Sequence, residues 1–352
     1  MPPTIRDVAK RARVAPITVS RVVNNSGYVS EETRQRVEAA VAELQYVPNS
    51  LALSLRFKKT RTIALVLTDI TNPFWTTVTR GVEDAASEQD FNVILCNTDE
   101  SETKQAKYLN VLLQKQVDGV LLVPARSTAE PVELIRKQGT AVVVLDRQVP
   151  QTRVDVVRGD SEGGAYQLVQ HLIELGHRRI AILSGPADVS TAADRVKGYR
   201  RAMANAGLDD HLEQLTYYGE FVKASGYTMT QQVLATKPRP TALFAANNFI
   251  AVGIIHAARD AGLQVPDDIA LVTFDDLPSA LMVDPFLTAA VQPGYEMGKC
   301  ATELLLTRLA GQPAQTFREI VLPVEIVIRR SSGVSRNGCA LRSTTTDLGI
   351  NG

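Results

Sequence analysis

The chain has 352 residues, of which 45% are hydrophobic and 22% charged, with 38 basic and 38 acidic side chains. A chain of this length can bury more than one hydrophobic core. No apolar stretch reaches the roughly 18 residues of a membrane span, and no secretory leader pattern precedes the first charged helix, so we expect a cytoplasmic protein that does not contact a membrane.

The first predicted element is a helix that starts after Thr4 and ends near Arg11. Thr4 can cap the helix N-terminus together with Asp7, three residues further on. Ile5 and Val8 have the spacing of one helical face. This pattern predicts a short amphipathic helix.

Two further helices are predicted before residue 48. Pro16 fits the first position of a second helix that runs to about Val23, although Ala15 is a poor N-cap residue. Ser30 can cap a third helix. Because the connection between the first two helices is so short, they have the helix-turn-helix layout, whose second helix lies in the major groove of DNA.

The distribution of charge supports this interpretation. Residues 1–60 contain ten Lys or Arg and five Asp or Glu, whereas the remaining 292 residues contain 28 and 33. Although the whole chain has no net charge, its first 60 residues are basic and are therefore suited to bind the phosphate groups of DNA. A small three-helix unit that contacts only protein remains the alternative.

Four sequence motifs of this head occur together in one order. They are Ile5-Arg6-Asp7-Val8-Ala9, Thr18-Val19-Ser20-Arg21-Val22-Val23-Asn24, Val29-Ser30-Glu31-Glu32-Thr33-Arg34 and Leu44-Gln45-Tyr46-Val47-Pro48-Asn49. Together they resemble the N-terminal signature of the lactose-repressor (LacI/GalR) family. The resemblance extends over about residues 4 to 332.

The resemblance implies a set of DNA-binding residues in the head and in the segment that follows it. They are Thr4, Pro16, Ile17, Thr18, Ser20, Arg21, Asn24, Ser30, Thr33, Arg34, Asn49, Leu53, Leu55 and Arg56. Arg21 can donate to guanine O6 and N7, or it can contact a phosphate, which carries no sequence information. Pro16 and Ile17 are apolar where many relatives have polar side chains, so they can touch thymine methyl groups only.

The segment 48–60 is predicted to be a hinge. Eight residues after Pro48 have a helical pattern that is too short to be stable alone in water. The resemblance implies a hinge helix that pairs with its twin in a dimer and wedges Leu55 into the minor groove. Packing of Leu55 against its symmetry mate is the alternative. Leu53 departs from the family, in which many members have a basic residue there.

From Arg61 the sequence changes to short β-branched runs that alternate with amphipathic helices. This alternation predicts parallel strands with crossover helices, and therefore an α/β fold with doubly wound sheets. The pattern restarts after a strand predicted at Val154 to Val157, which indicates two lobes. A last helix at Tyr295 to Leu309 and strands at Thr316 to Leu322 and Glu325 to Ile328 complete them.

We therefore expect an all-α helix-turn-helix head at 1–47, the hinge at 48–60 and an effector-binding and dimerisation core at 61–332. The resemblance implies a two-lobed core of the periplasmic-binding-protein type. The first lobe comprises about 61–158 and 293–320, and the second about 159–292 and 321–332. Residues 333–352 are polar and are expected to form a disordered tail.

Ligands of open α/β sheets bind at the carboxyl ends of the strands. The residues that follow the predicted strands, which match the effector pocket of the family by position, are Asp69, Phe74, Trp75, Arg147, Thr191, Arg195, Phe221, Asn247 and Asp275. The aromatic rings can stack on a sugar or a base, and the charged groups can bind its hydroxyl or carboxylate groups.

Some of these residues have a structural alternative. Asp275 can serve as a cap, Trp75 can pack against a neighbouring helix, and a cleft arginine can pair with an acid of the opposite lobe. Asn248 departs from the usual Asn-Asp pair of the family, which alters a helix cap or a pocket acceptor. Val189 replaces a polar residue of some relatives and argues against a purine effector.

Motifs of catalysis and metal binding are missing from the sequence. No GxGxxG motif, P-loop or GxSxG motif is present, and the four histidines lack metal-site spacing. His171 and His177 are interpreted as surface residues, and three widely spaced cysteines as reduced thiols. We therefore expect no metal, no cofactor and no enzyme activity.

The sequence predicts a transcriptional regulator, and the resemblance favours a repressor. Two-fold symmetry implies a homodimer, or a tetramer built as a dimer of dimers, on an approximately palindromic operator of double-stranded DNA. A small effector in the cleft, a carbohydrate or a related compound, would control DNA affinity allosterically. The alternative from another class is a solute-binding or sugar-processing protein of the same two-lobed fold.

Overall fold

The computed structural model describes residues 2–47, 60–277, 284–311 and 316–334. The chain divides into two compact units, residues 1–60 and 61–352, and each is considered by itself. The predicted hinge lies outside the described residues except Thr60, and the predicted tail does so except Gly333 and Val334.

The head contains the three predicted helices, α1 Ile5–Ala12, α2 Pro16–Val23 and α3 Glu31–Glu43. Thr4 and Asp7 form the predicted capping box at the start of α1. Ala15 occupies the N-cap of α2 without a side-chain hydrogen bond, as expected for a residue without a polar side chain. At α3 the expectation is only partly met, since Ser30 is the N-cap residue but its hydroxyl donates to the Thr33 hydroxyl at 2.9 Å instead of accepting from the backbone.

The three helices of the head share one small core. Val8, Val19 and Val37, one from each helix, are 0% exposed. Ala9, Ala12, Val22 and Ala40 complete the buried set that faces them. These residues recur at helical spacing, so each helix buries one apolar face against the other two. This burial stabilises three helices that are too short to be stable alone in water.

The body is an α/β unit with eight α-helices and twelve strands among its described residues. In the first half of the chain they are β1 Thr62–Leu67, α4 Pro73–Ser87, β2 Asn92–Asn97, α5 Glu102–Gln114, β3 Gly119–Leu122, α6 Glu130–Lys137, β4 Ala141–Leu145 and β5 Asp155–Gly159. Next come α7 Ser161–Glu174, β6 Ile180–Ser184, α8 Ser190–Asn205, β7 Thr216–Tyr218, α9 Lys223–Leu234, β8 Ala242–Ala245, α10 Asn248–Asp260 and β9 Ala270–Phe274. The last elements are β10 Thr288–Val291, α11 Gly294–Leu309, β11 Glu319–Leu322 and β12 Glu325–Val327.

Two six-stranded sheets organise the body. The first lobe is built on the order β11-β5-β4-β3-β1-β2 and the second on the order β12-β10-β9-β8-β6-β7. All described pairs are parallel except β10 with β12, which is antiparallel. The central strands are buried on both faces, which explains their continuous runs of Val, Leu and Ile.

The chain passes between the two sheets at three places, after β5, after β10 and after β11. The fifth strand, predicted at Val154 to Val157, is shifted to Asp155–Gly159, and the strand predicted from Thr316 starts only at Glu319. β11 pairs with β5 as far as Leu322, two residues beyond the lobe boundary expected at residue 320.

Helices α4 and α11 approach each other closely in the first lobe. A Cβ atom at Gly81 would lie 2.1 Å from the Tyr295 carbonyl oxygen, and one at Gly298 would lie 2.1 Å from the Val78 carbonyl oxygen. Glycine at both positions therefore allows the two backbones to touch. This contact covers one face of the first sheet with buried side chains of both helices.

The two histidines expected on the surface are buried, which corrects that interpretation. His171 Nε2 lies 3.0 Å from Ser332 Oγ, and His177 Nδ1 lies 2.9 Å from Thr241 Oγ1. Burial lowers the pKa of His171. Cys96 is a buried free thiol in the first lobe. Among the described residues, no helix is long and apolar enough to cross a membrane.

Candidate functional site

The outer face of α2 in the head presents five of the side chains predicted to read DNA. Arg21 and Pro16 are exposed, and Ile17 is 50% exposed although it is a large apolar residue. Thr18 and Ser20 are half-buried beside them. Within the described head, residues 2–47, Arg21 makes no ion pair, so its guanidinium is available for a partner outside the head.

The other predicted DNA-binding residues of the head already hold intramolecular hydrogen bonds. Asn24 Nδ2 donates to the Ser20 carbonyl at 2.8 Å, and Arg34 Nη2 donates to Asn25 Oδ1 at 3.3 Å. The Thr4 hydroxyl donates to Asp7 at 2.6 Å. These side chains therefore shape the head, whether or not they also contact DNA. The predicted hinge residues Asn49, Leu53, Leu55 and Arg56 lie outside the described residues.

A cleft of about 520 Å³ opens in the body where strands of both sheets end. Its lining includes all nine residues predicted for the effector site, Asp69, Phe74, Trp75, Arg147, Thr191, Arg195, Phe221, Asn247 and Asp275. They come from both lobes because the carboxyl ends of the two parallel sheets face the same space. The role of these residues in binding stays a prediction.

The aromatic side chains of the cleft differ in exposure. Phe74 and Trp75 meet edge to face with ring centroids 4.8 Å apart. Trp75 is only 5% exposed and belongs to the core of the first lobe, so its packing role is substantial. Phe74 and Phe221, from different lobes, are half-buried and offer ring surface to the cleft.

Arg147 is held rigidly inside the first lobe. Its guanidinium donates to both carboxylate oxygens of Glu100, at 2.8 and 2.6 Å, and to the carbonyls of Pro124 and Ala125. The acid that pairs with it therefore lies in the same lobe, not in the opposite one. Because Glu100 neutralises it, Arg147 lines the cleft without adding net positive charge.

Arg195 and Asp275 form the charged centre of the second lobe. Arg195 Nη2 lies 3.9 Å from Asp275 Oδ2, while its Nη1 donates to the Ala246 carbonyl at 2.7 Å. The guanidinium also lies over the Phe274 ring, 3.8 Å from its centroid. Burial raises the pKa of Asp275 and lowers that of Arg195.

Asp146 is a cleft residue that sequence reasoning missed. It follows β4 with φ 64°, and Asp275 follows β9, the strand at the corresponding place in the second sheet, with φ 62°. Burial raises the pKa of Asp146 to about 6, although Arg195 and Arg147 oppose the shift. Its Oδ1 has no hydrogen-bond partner in the described structure. The rule that selected Asp275, a polar residue at a strand end, would also have selected Asp146.

Three predicted cleft residues also have local structural roles. Asp69 Oδ1 accepts from the backbone N–H of Thr71 at 2.8 Å, and Asn247 Oδ1 caps α10 by accepting from the Ile250 N–H at 2.8 Å. Thr191 is buried in the first turn of α8. Each of these groups is fixed by the element that it starts or ends, which preorganises the cleft.

Asn72 and Gln292 are two further cleft residues that sequence reasoning missed. Gln292 Nε2 donates to Asp275 at 2.8 Å, and its buried Oε1 has no partner in the described structure. Asn72 caps α4 and exchanges hydrogen bonds with Asn248 of the second lobe. Asn248 therefore acts between the lobes, neither as the helix cap nor as a pocket acceptor. No sequence pattern pairs residues this far apart.

The rim of the cleft carries a further contact between the lobes. Arg126 of the first lobe lies 3.3 Å from Asp188 and 3.6 Å from Glu220 of the second. The Ser190 N–H donates to Ser127 Oγ at 2.9 Å. These exposed and half-exposed contacts are individually weak, so they can open and close without a large change in free energy.

The charge of the cleft decides which ligands suit it. Six carboxylate side chains and three guanidinium groups line it, and two of the three guanidiniums are buried with acids nearby. An anion would meet this excess of negative charge, whereas hydroxyl groups can donate to the free carboxylate oxygens. Among the described residues, no group of His, Cys, Asp or Glu side chains could hold a metal ion.

Two family models match the chain. Residues 4–49 match "Bacterial regulatory proteins, lacI family", and residues 60–328 match "Periplasmic binding proteins and sugar binding domain of LacI family". The ribose operon repressor of Halalkalibacterium halodurans is 36% identical over 95% of this chain and 98% of its own length. The HTH-type transcriptional repressor PurR of Photobacterium profundum is also 36% identical, over 93% of this chain and 98% of its own.

Solved structures agree with these sequence relatives. The lac repressor dimer bound to operator and the anti-inducer ONPF superimposes with a TM-score of 0.80 at 28% identity, covering 94% of this chain and 99% of that one. A LacI family regulator from Enterococcus faecium with bound ribose has a TM-score of 0.68 at 31% identity, covering 78% and 99%. The chain belongs to the LacI family of bacterial transcriptional regulators.

Proposed function

We propose that this regulator is a cytoplasmic homodimer that binds an approximately palindromic operator and changes its DNA affinity when a neutral sugar occupies the cleft. The observation that carries the proposal is the cleft itself. Phe74 and Phe221 offer ring faces from opposite lobes, and Asp146 and Asp275 offer buried carboxylates between them. Ring faces combined with hydrogen-bond acceptors are what a sugar ring requires.

The charge balance of the cleft favours a neutral sugar over a sugar acid or a sugar phosphate. Arg147 is neutralised by Glu100, and Arg195 lies close to two buried carboxylates. An anionic ligand would have to displace one of these acids. D-ribose is the first candidate, since one similar regulator is a ribose operon repressor and another has ribose bound.

A nucleobase is the second candidate effector, because PurR is equally similar in sequence. Val189, the N-cap residue of α8, is fully buried and does not line the cleft in the described structure, so this position offers no polar group to a base. The alternative of a solute-binding or sugar-processing protein is not favoured, because the head matches a regulatory family and the relatives are regulators.

The proposed function divides the chain into four segments. We assign 1–47 to the DNA-binding head, 48–60 to the hinge, 61–332 to the effector-binding and dimerisation core and 333–352 to a tail.

In the proposed switch, effector binding changes the angle between the lobes. This change decides whether the two hinge segments of a dimer bind the operator. A coupling free energy of about 1–3 kcal/mol is typical of such a switch.

The experiment measures binding of D-ribose, an aldonic acid and hypoxanthine to the purified protein by calorimetry, and then operator affinity with any ligand that binds. The proposal expects ribose to bind and the acid not to bind. It also expects Asp275→Ala to retain operator affinity and to lose the response to ribose. An Asp275→Ala variant that still responds normally would contradict the assignment of the cleft. If hypoxanthine binds and ribose does not, the effector is a base and not a sugar.

A further inference from the structure

Phe221 and Gly185 lie against each other at the mouth of the cleft. A Cβ atom built on Gly185 would lie 2.2 Å from Phe221 Cζ and 2.5 Å from both Cε atoms. Real Cβ atoms do not approach other atoms so closely, so the ring occupies the space that any other residue at position 185 would fill. Gly185 is buried, whereas the Phe221 ring faces the cleft.

The contact arises from neighbouring strands of the second sheet. Gly185 follows β6, and Phe221 comes three residues after the end of β7. These two strands pair in parallel up to Ser184 and Tyr218, and the Gly219 N–H then donates to the Ser184 carbonyl at 3.0 Å. The chain after β7 therefore folds back over the end of β6 and places the ring on the Gly185 backbone.

The backbone of Phe221 is fixed independently of its ring. Asn247 Nδ2 donates to the Phe221 carbonyl at 3.3 Å, and the Val222 N–H donates to the Glu220 carbonyl at 2.8 Å. A Cβ atom at position 185 would therefore be accommodated by rotation of the ring, because the chain that carries it is held. Gly185 is not among the positive-φ glycines of the described structure, so space and not backbone conformation demands glycine there.

We propose that Gly185 is a positioning residue of the effector site, which sets the width of the cleft by letting the Phe221 ring lie on its backbone. This inference rests on the proposed function, because it treats the Phe221 ring as a wall of a sugar site. A residue with a side chain at position 185 moves this wall. The sugar ring then loses its stacking surface or the room that it needs.

Gly294, which lies beside Phe74 in the first lobe, is a matched control. A Cβ atom there would be 3.4 Å from the Phe74 ring, which is ordinary contact. Both substitutions add one methyl group to a glycine that is next to an aromatic ring of the cleft. Only the one at Gly185 forces the ring to move.

The first arm of the experiment needs no ligand. Melting temperatures of the full chain are compared for Gly185→Ala with and without the second substitution Phe221→Ala. We expect Gly185→Ala to lower Tm by about 3 °C when Phe221 is present and by much less in the Phe221→Ala background. Gly294→Ala should leave Tm nearly unchanged. Equal losses in the two backgrounds would overturn the contact between Gly185 and the ring.

The second arm measures the affinity for D-ribose by calorimetry. We expect Gly185→Ala to weaken ribose binding about tenfold, Gly294→Ala to have little effect, and the two substitutions Gly185→Ala and Phe221→Ala to be no worse together than Phe221→Ala alone. Unchanged ribose affinity in Gly185→Ala would overturn the positioning role. If the wild-type protein does not bind ribose, the proposed effector is wrong, and the Tm comparison alone decides whether Gly185 positions Phe221.

Discussion

The side-chain amides of Asn72 and Asn248 donate to each other across the two lobes. Asn72 Nδ2 lies 3.1 Å from Asn248 Oδ1, and Asn248 Nδ2 lies 3.0 Å from Asn72 Oδ1. Both residues are buried, and Asn248 also donates to the Asp276 carbonyl at 3.2 Å. The pair joins the N-termini of α4 and α10 without any charge, so pH does not affect it directly.

Replacement of Asn248 by aspartate is expected to weaken this connection and to lower effector affinity. A carboxylate cannot donate to Asn72 or to the Asp276 carbonyl, so two hydrogen bonds of a buried group are lost. Asn248 does not line the cleft in the described structure, hence the change acts through closure of the lobes. We expect about tenfold weaker binding of the effector by calorimetry.

Asn205→Ala is the control, because Asn205 is exposed and its amide donates to the Tyr166 hydroxyl at 3.3 Å within the second lobe. It should leave effector affinity unchanged. An Asn248→Asp variant that binds the effector as the wild type does would show that the amide pair does not contribute to closure.

The raised pKa of Asp146 predicts a specific dependence of stability on pH. Burial shifts the pKa from 3.8 to about 6 in the folded protein. The folded state then holds this proton more tightly than the unfolded state, so the stabilisation is present below pH 4 and is lost as the pH rises through about 6. Between pH 4 and pH 7 the wild type should lose about 2 kcal/mol relative to Asp146→Asn, which has no proton to lose.

Urea unfolding of the two proteins at pH 4, 5, 6 and 7 measures this difference. Asp267→Asn, at an exposed carboxylate, serves as the control and should follow the wild type at every pH. Parallel curves for wild type and Asp146→Asn would mean that Asp146 is solvated in the folded protein.

Arg21→Ala is expected to reduce both operator affinity and sequence discrimination. The guanidinium is exposed on α2 with no ion pair in the described head, where it can donate to a base. Loss of such a contact costs roughly 1–3 kcal/mol, or about 5- to 150-fold in affinity. The measurement uses DNA selected by the wild type from a random pool, with unrelated DNA at the same salt concentration.

Arg11→Ala is the matched control, since this guanidinium already pairs with Glu43 at 2.7 Å. Loss of the Arg11 guanidinium should weaken binding to all DNA sequences slightly and equally. If Arg21→Ala also weakened binding equally for all sequences, Arg21 would contact a phosphate and not a base.

Leu55→Ala tests the predicted wedge of the hinge, which lies outside the described residues. Loss of an apolar side chain from between two base pairs should weaken operator binding about tenfold or more and should leave effector affinity intact. Val47→Ala, at an exposed apolar residue just before the hinge, should change neither. Titration of operator DNA at constant salt checks both variants, and unchanged operator affinity in Leu55→Ala would exclude the wedge.

The sequence by itself determined the helices of the head and the doubly wound plan of the body. Val8, Val19 and Val37 could be assigned to one core because their spacing within each helix fixes which face they occupy. Asp275 and Arg195 could be assigned to one cleft because parallel strands end at a common edge. Both inferences need only local periodicity and the order of elements.

Only the tertiary structure decided which distant side chains meet. Glu100 neutralises Arg147 from 47 residues away, and Asn72 pairs with Asn248 across 176 residues. The burial of His171 beside Ser332 likewise depends on where the last residues of the core return. Sequence periodicity indicates the face of an element on which a side chain lies. Which distant side chain it contacts depends on how complete helices and strands pack, because the free energy of each contact depends on all of its neighbours.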